Sequence, residues 1–201
     1  RAGHADGAED EGGRGVLLGG VPGVPPAEVV VLGGGVSGTH AATIALGMGA
    51  TVFVVDRSGE ALRRIAAQFP GVRTIFSTHD ALAHILRRAD LLVGAVLVPG
   101  AAAPKLVTRE MVTAMKPGSV IVDIAIDQGG GCETSRPTTH SHPTYLEKGV
   151  IHYCVTNMPG AVARTCLPSS HWSQSVVTAW FFCHPVASAS RLRPGTPAKT
   201  V

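Results

Sequence analysis

Gly33, Gly35 and Gly38, followed by Asp56, are the residues of this chain whose types and spacing carry the most chemistry. The glycines make a G-x-G-x-x-G. A β-branched run, Glu28 to Leu32 (EVVVL), precedes them, and helically spaced small residues (THAATIALGMGA) follow. A second apolar run, Thr51 to Val55 (TVFVV), then ends on Asp56, about 20 residues further on. Strand, glycine turn, helix, strand and acid together make the fingerprint of a dinucleotide-binding turn. Gly33 permits the tight turn, Gly35 lets a pyrophosphate approach the backbone, and Gly38 lets the helix pack close to the strand. Val36 and Ser37 open that helix, where the N–H groups of the first turn and the positive end of the helix dipole favour an anion. The Asp56 carboxylate would accept hydrogen bonds from the hydroxyls of an adenosine ribose. It would also repel a 2′-phosphate, which favours NAD over NADP, although Arg57 beside it pulls the other way. The plainer alternative is a glycine-rich turn of another parallel-sheet protein, with Asp56 a solvated strand end.

A second acid, Asp127, lies just past the apolar run Ser119 to Ala125 (SVIVDIA). Ligands of open parallel sheets sit beyond the carboxyl ends of the strands. A carboxylate there can orient an amine or a water; it can equally cap a loop.

The elements that must position these residues alternate along the chain. Short apolar runs read as strands at Glu28–Leu32, Thr51–Val55, Thr74–Phe76, Leu91–Val98 (the strand together with its exit), Ser119–Ala125 and Val150–Val155. Helical stretches fall between them. Ser58 is expected to cap a helix running to Phe69, Asp80 one over Ala81–Ala89, and Thr108 one ending at Met115. This alternation predicts an α/β fold: a doubly wound parallel sheet of the Rossmann type with helices on both faces. The expected organisation is a disordered tail over 1–13, a dinucleotide-binding domain over 14–165, and an atypical tail over 166–201. Prolines at 22, 25 and 26 exclude a helix between Arg14 and Pro26.

Composition narrows the function classes. Of 201 residues, 45% are hydrophobic and 15% charged, which suffices for a core and argues against disorder throughout. The net charge is +3 and Lys/Arg never run beyond two in a row, so no nucleic-acid surface is expected. No apolar stretch reaches the roughly 18 residues of a membrane span. The polar, acidic start, Arg1 to Glu11, is no signal peptide. Cys132, Cys154, Cys166 and Cys183 form no C-x-x-C pair, and reduced thiols in a cytoplasmic setting are the simplest reading. Cys154, in a strand, reads as a small buried hydrophobe. His140 and His142, with Cys132 upstream, are the best candidate zinc ligands, but a polar loop explains them more simply and no metal is expected.

Beyond the fingerprint, five segments resemble alanine dehydrogenases: GGRGVLLGGVPGV (Gly12–Val24), GAVLVPGAAAPKLVTREMV (Gly94–Val112), MKPGSVIVDIAIDQGG (Met115–Gly130), ETSRPTTHSHPTY (Glu133–Tyr145) and HYCVTNMPGAV (His152–Val162). The related proton-translocating transhydrogenases share the fold and the MKPGSVIVD run, and AIDQGG favours the alanine dehydrogenases. The resemblance implies NAD as cofactor and conversion of L-alanine and NAD to pyruvate, ammonium and NADH, through hydride transfer from the α-carbon and hydrolysis of an imine. It also implies Asp127 as the catalytic aspartate and Ser77 on the adenine side of the cofactor. Val96 and Leu97 would line the dinucleotide, and Ile124, Asn157 and Met158 would flank the nicotinamide. For the aliphatic residues, ordinary strand-end packing is an equal alternative. A homo-oligomer, hexameric by family, is the implied assembly.

The same resemblance implies an Arg and a Lys that hold the substrate carboxylate and a His that acts as general base, all preceding the cofactor domain; nothing in this chain matches them. After NMPGAVART the reading CLPSSHWSQSVVTAWFFCHPVASASRL matches nothing in the family pattern. Orienting a substrate against a cofactor contributes several powers of ten in rate. The purified polypeptide is therefore expected to bind NAD weakly and to produce no NADH from L-alanine. A spectrophotometric assay at 340 nm checks this, and alanine-dependent NADH formation above the enzyme-free rate overturns it.

Overall fold

The computed structural model describes residues 13–98 and 100–158. They form one seven-stranded sheet with strand order β3-β2-β1-β4-β5-β7-β6. In chain order the strands are β1 (Glu28–Leu32), β2 (Thr51–Asp56), β3 (Arg73–Phe76), β4 (Leu91–Gly94), β5 (Val120–Asp123), β6 (Thr144–Glu147) and β7 (Val150–Tyr153). The helices are α1 (Val36–Gly47), α2 (Gly59–Gln68), α3 (His79–Leu86) and α4 (Arg109–Thr113). A 3₁₀ turn, Ile124–Gln128, follows β5 directly.

All strand pairs are parallel except β6 with β7. Side chains alternate across a strand, so β1 feeds two cores. Val29 and Val31 join Ala41, Ala42 and Ala45 of α1 and Leu62 and Ile65 of α2. Val30 and Leu32 face the other way, onto Leu82, Ile85 and Leu86 of α3 and Met111 of α4. Central strands with both faces covered must be apolar throughout, and each fully buried Val or Leu contributes about 1.5–3 kcal/mol. From β1 the chain winds outward to β2 and β3, then returns to pair β4 on the other side of β1. That reversal opens a crevice between the carboxyl ends of β1 and β4, where ligands of such sheets bind.

The expected doubly wound sheet is present; β4, β7, α3 and α4 end two to four residues earlier than expected, and three further local differences stand out. Thr78, not Asp80, caps α3: its extended backbone lets Oγ1 accept the Ala81 N–H at 3.2 Å. Asp80 falls instead in the first turn, where its charge favours the helix dipole. Ser58 and Thr108 cap α2 and α4 as expected. The run after Val120 leaves the sheet at Asp123 and coils into the 3₁₀ turn rather than extending to Ala125. Finally, β6 is a strand the apolar pattern did not reveal. It forms a hairpin with β7 through Lys148 (φ 56°) and Gly149 (φ 76°), the paired positive φ of a type I′ turn.

Between Arg14 and Pro26 no helix forms; Val21 and Val24 make an isolated antiparallel bridge. Of the expected tails over 1–13 and 166–201, residues 1–12 and 166–201 lie outside the described residues. Among the described residues no helix is long and apolar enough to cross a membrane, and no group of three His, Cys, Asp or Glu is set to hold a metal ion.

His152, on β7, is fully buried. Its Nδ1 lies 3.0 Å from the Val150 carbonyl oxygen, which can only accept, so Nδ1 carries the proton. Nε2 then accepts from the Thr134 hydroxyl at 2.8 Å, and the Tyr145 ring stacks on the imidazole. Burial pushes the imidazole pKa below its ordinary 6.5, against smaller raising effects of the Val150 carbonyl, Glu147 and Asp123. The neutral form is thus the folded form, and below pH 6.5 the unfolded chain takes up a proton that the native chain refuses. Stability should be level above that pH and fall as pH drops below it. Urea titrations from pH 8 to pH 5 should show the decline, and His152→Gln should flatten it; an equal decline in the variant refutes the assignment.

Candidate functional site

Where β1 ends, the chain has almost no lateral room. Gly33 adopts φ +98°, and a Cβ there would lie 2.8 Å from the Ala95 carbonyl oxygen. Its N–H donates to the Val55 carbonyl at 2.8 Å, so the first glycine ties the exits of β1 and β2 together. A Cβ at Gly38 would fall on the Gly33 carbonyl oxygen. Gly35 is different: it is the N-cap of α1, exposed, and nothing among the described residues lies within 4 Å of the place a Cβ would take. Two glycines are therefore required by protein contacts, and the third leaves open ground at the helix N-terminus. Val36 is exposed there and Ser37 is buried.

Asp56 closes β2 beside this turn. Its Oδ2 accepts the Gly34 N–H at 2.5 Å and its Oδ1 the Ser58 N–H at 2.7 Å. Each carboxylate oxygen has two lone pairs, so acceptor capacity remains toward a ligand. A cleft of about 410 Å³ opens from this point, lined among others by Gly33, Asp56, Ser77 and Val96. Arg57, Val98 and Leu106 also line it. Of the expected cofactor residues, Gly33, Asp56, Ser77 and Val96 are thus brought to one cleft. Leu97 is exposed next to it but is not part of its lining.

The second cluster is at the end of β5. Asp127 is exposed in the 3₁₀ turn, and its Oδ1 accepts the Asn157 N–H at 3.3 Å. Asn157 holds φ +52°, a left-handed backbone that Asn tolerates better than most residues. Ile124 and Met158 are buried in the core that holds Val93 and Val122. The structure therefore places Asp127 and Asn157 together, with Ile124 and Met158 beneath the surface.

Sequence reading did not single out Asp123, which builds the ground under Asp127. It is fully buried, and its Oδ2 accepts from the Gly131 N–H at 2.8 Å and the Ser135 hydroxyl at 2.6 Å. Its Oδ1 has no hydrogen-bond partner among the described residues and faces Gly94, whose Cβ would lie only 3.1 Å away. The Lys105 ammonium donates to the carbonyls of Gly129 and Cys132 in the same turn. Backbone bonds from Ala103 to Gln128 and from Leu106 to Gly131 complete the stitch. The turn after Asp127 thus has a buried anion on its N–H groups and a cation on its carbonyls. Cys132 and Cys154, both buried, lie near this carboxylate; burial first and then Asp123 raise both thiol pKa values, that of Cys154 to about 11. The contact to Ser135 joins residues 12 apart across a loop, which no local motif signals.

Comparisons with known proteins show the family to which the chain belongs. The family model described as alanine dehydrogenase/PNT, C-terminal domain, matches residues 3–179. The chain belongs to that family. The alanine dehydrogenase of Halomonas elongata is 62% identical over 156 residues, covering 77% of this chain and 42% of that protein. A solved L-alanine dehydrogenase superposes with a TM-score of 0.75 at 49% identity, covering 85% of this chain and 45% of that one. A transhydrogenase from Sinorhizobium meliloti follows with a TM-score of 0.64 and 31% identity, covering 78% of this chain and 43% of that one. The chain thus spans less than half the length of the relatives it matches.

Gly38 offers the sharpest test of the geometry. Gly38→Ala must displace either the Gly33 carbonyl or the start of α1. Overpacking of this kind costs about 1–3 kcal/mol. Chemical denaturation should register that loss, and Gly35→Ala, facing open ground, should cost less than half as much; equal losses contradict the described packing.

Proposed function

We propose that this chain is the NAD-binding domain of an L-alanine dehydrogenase, the enzyme that converts L-alanine, NAD and water to pyruvate, ammonium and NADH. One observation carries the reading: a glycine turn with open ground at Gly35 stands beside an acid-lined cleft, and Asp127 stands at the exit of β5, two strands from β1. The higher identity and TM-score of the alanine dehydrogenase favour that parent activity over a transhydrogenase.

The residues present fit a dinucleotide. Amides of Gly35, Val36 and Ser37 at the start of α1 would hold the pyrophosphate, and the ground at Gly35 is free of side chain. Asp56 would take the ribose hydroxyls, Ser77 and Val96 the adenosine side, and Leu97 the adjoining backbone. Ile124, Asn157 and Met158 would flank the nicotinamide end, where apolar Ile124 and Met158 limit water. When bound, the nicotinamide supplies the hydride acceptor. Asp127, fixed by the Asn157 N–H, would orient the substrate amine or an attacking water from its other carboxylate oxygen. L-alanine and pyruvate are the substrates of this reading, a homo-oligomer its assembly, and the cytoplasm its setting.

Asp56 also sets the preference for NAD over NADP, because a carboxylate at the ribose repels a 2′-phosphate. Hydrogen bonds to a charged group contribute about 1.5–3 kcal/mol, or roughly 10–100-fold in affinity. Isothermal titration should show NADH bound more tightly than NADPH, and Asp56→Asn should weaken NADH by about tenfold or more while narrowing the gap to NADPH. Equal affinity of the unaltered chain for both removes the NAD assignment, and binding of neither removes the whole reading.

A further inference from the structure

Three consecutive glycines, 33 to 35, give the turn after β1 wide backbone freedom, which an anion site would have to lose on binding. The structure restrains that freedom at one peptide. The Gly34 carbonyl oxygen accepts from Nη2 of Arg64, on α2, at 2.7 Å, and from the Thr39 hydroxyl at 3.4 Å. The N–H of the same residue donates to Asp56. The surrounding space is closed as well: a Cβ at Gly34 would come 2.9 Å from Cδ1 of Ile65 and 3.4 Å from Cβ of Ala61, both on α2. Helix α2 thus seats Gly34 by shape, and Arg64 grips its carbonyl.

In a trans peptide the carbonyl and the following N–H point in opposite directions. There is no cis bond among the described residues. With the Gly34 oxygen turned toward α2, the Gly35 N–H is turned away from it, on the side of the turn left open at Gly35. A guanidinium on the oxygen also polarises the peptide and strengthens that N–H as a donor.

We propose that Arg64 is a positioning residue for the phosphates: by holding the Gly34 carbonyl it aims the Gly35 amide at a pyrophosphate. This rests on the dinucleotide reading above. Arg63, one residue earlier on α2 and exposed, carries the same charge without that bond and serves as the control.

The test compares Arg64→Met, Arg64→Lys and Arg63→Met in the full chain, titrated with NADH, ADP and adenosine, with melting temperatures measured alongside. Arg64→Met should weaken NADH and ADP by about tenfold, the size of one charge-assisted hydrogen bond. Adenosine, which has no phosphate, should change by less than about twofold, and melting should stay within the range of the Arg63 control. Arg64→Lys should recover part of the loss and Arg63→Met should show none. Equal loss for adenosine, equal loss in Arg63→Met, or no loss in Arg64→Met each overturns the proposal. Failure of the unaltered chain to bind any of the three ligands overturns the dinucleotide reading and the proposal with it.

Discussion

The Gly33 carbonyl oxygen occupies the place where any side chain at residue 38 would have to go. Much of the β1–β2 half of the molecule depends on that contact. It lets α1 start against the end of β1 instead of standing off by a side chain, and Ala41, Ala42 and Ala45 then lie fully buried on the sheet. Small residues along α1 are thus a packing requirement, and its weak amphipathic pattern follows from the same closeness. Once the helix is that near, its first amides open directly on the crevice between β1 and β4.

The other half of the crevice is built by different means. No glycine fingerprint organises the end of β5; a buried carboxylate does. Asp123 gathers donors from Gly131 and Ser135, and Lys105 draws on the carbonyls of the same turn. A buried charge is costly unless hydrogen-bonded, and this one is satisfied on one oxygen only. The strand-end acid thereby ties Gly131 and Ser135 of the following loop to the end of β5, and Asp127 lies in the 3₁₀ turn just before that loop. The two halves meet where the backbone from Ala103 to Leu106 is bonded to the 128–131 turn.

How much of this was legible in advance follows from how local each signal is. Strands β1 and β2, their glycines and Asp56 lie within one continuous stretch whose pattern changes from period two to helix and back, and their bounds were readable to the residue or nearly so. The cap of α3 was misplaced by two residues, because Thr78 and Asp80 are both good caps and only the backbone decides between them. Strand β6 (Thr-Tyr-Leu-Glu) is an edge strand with mixed exposure and no alternation, so its pairing with β7 is visible only in three dimensions. Asp123 and Arg64 were missed for a shared reason. Their roles come from partners 8 to 12 and 30 residues away, respectively, and an acid inside a strand or an arginine on an amphipathic helix otherwise reads as ordinary.

The burial of Cys132 and Cys154 has a practical side. Both sulfurs sit inside the sheet region, and a medium of low polarity around them, with a carboxylate close by, keeps them as thiols at neutral pH. Alkylation and disulfide exchange proceed through the thiolate. These two positions should accordingly react slowly with maleimides, glutathione and mild peroxide while the domain is folded, and their labelling would then report its opening.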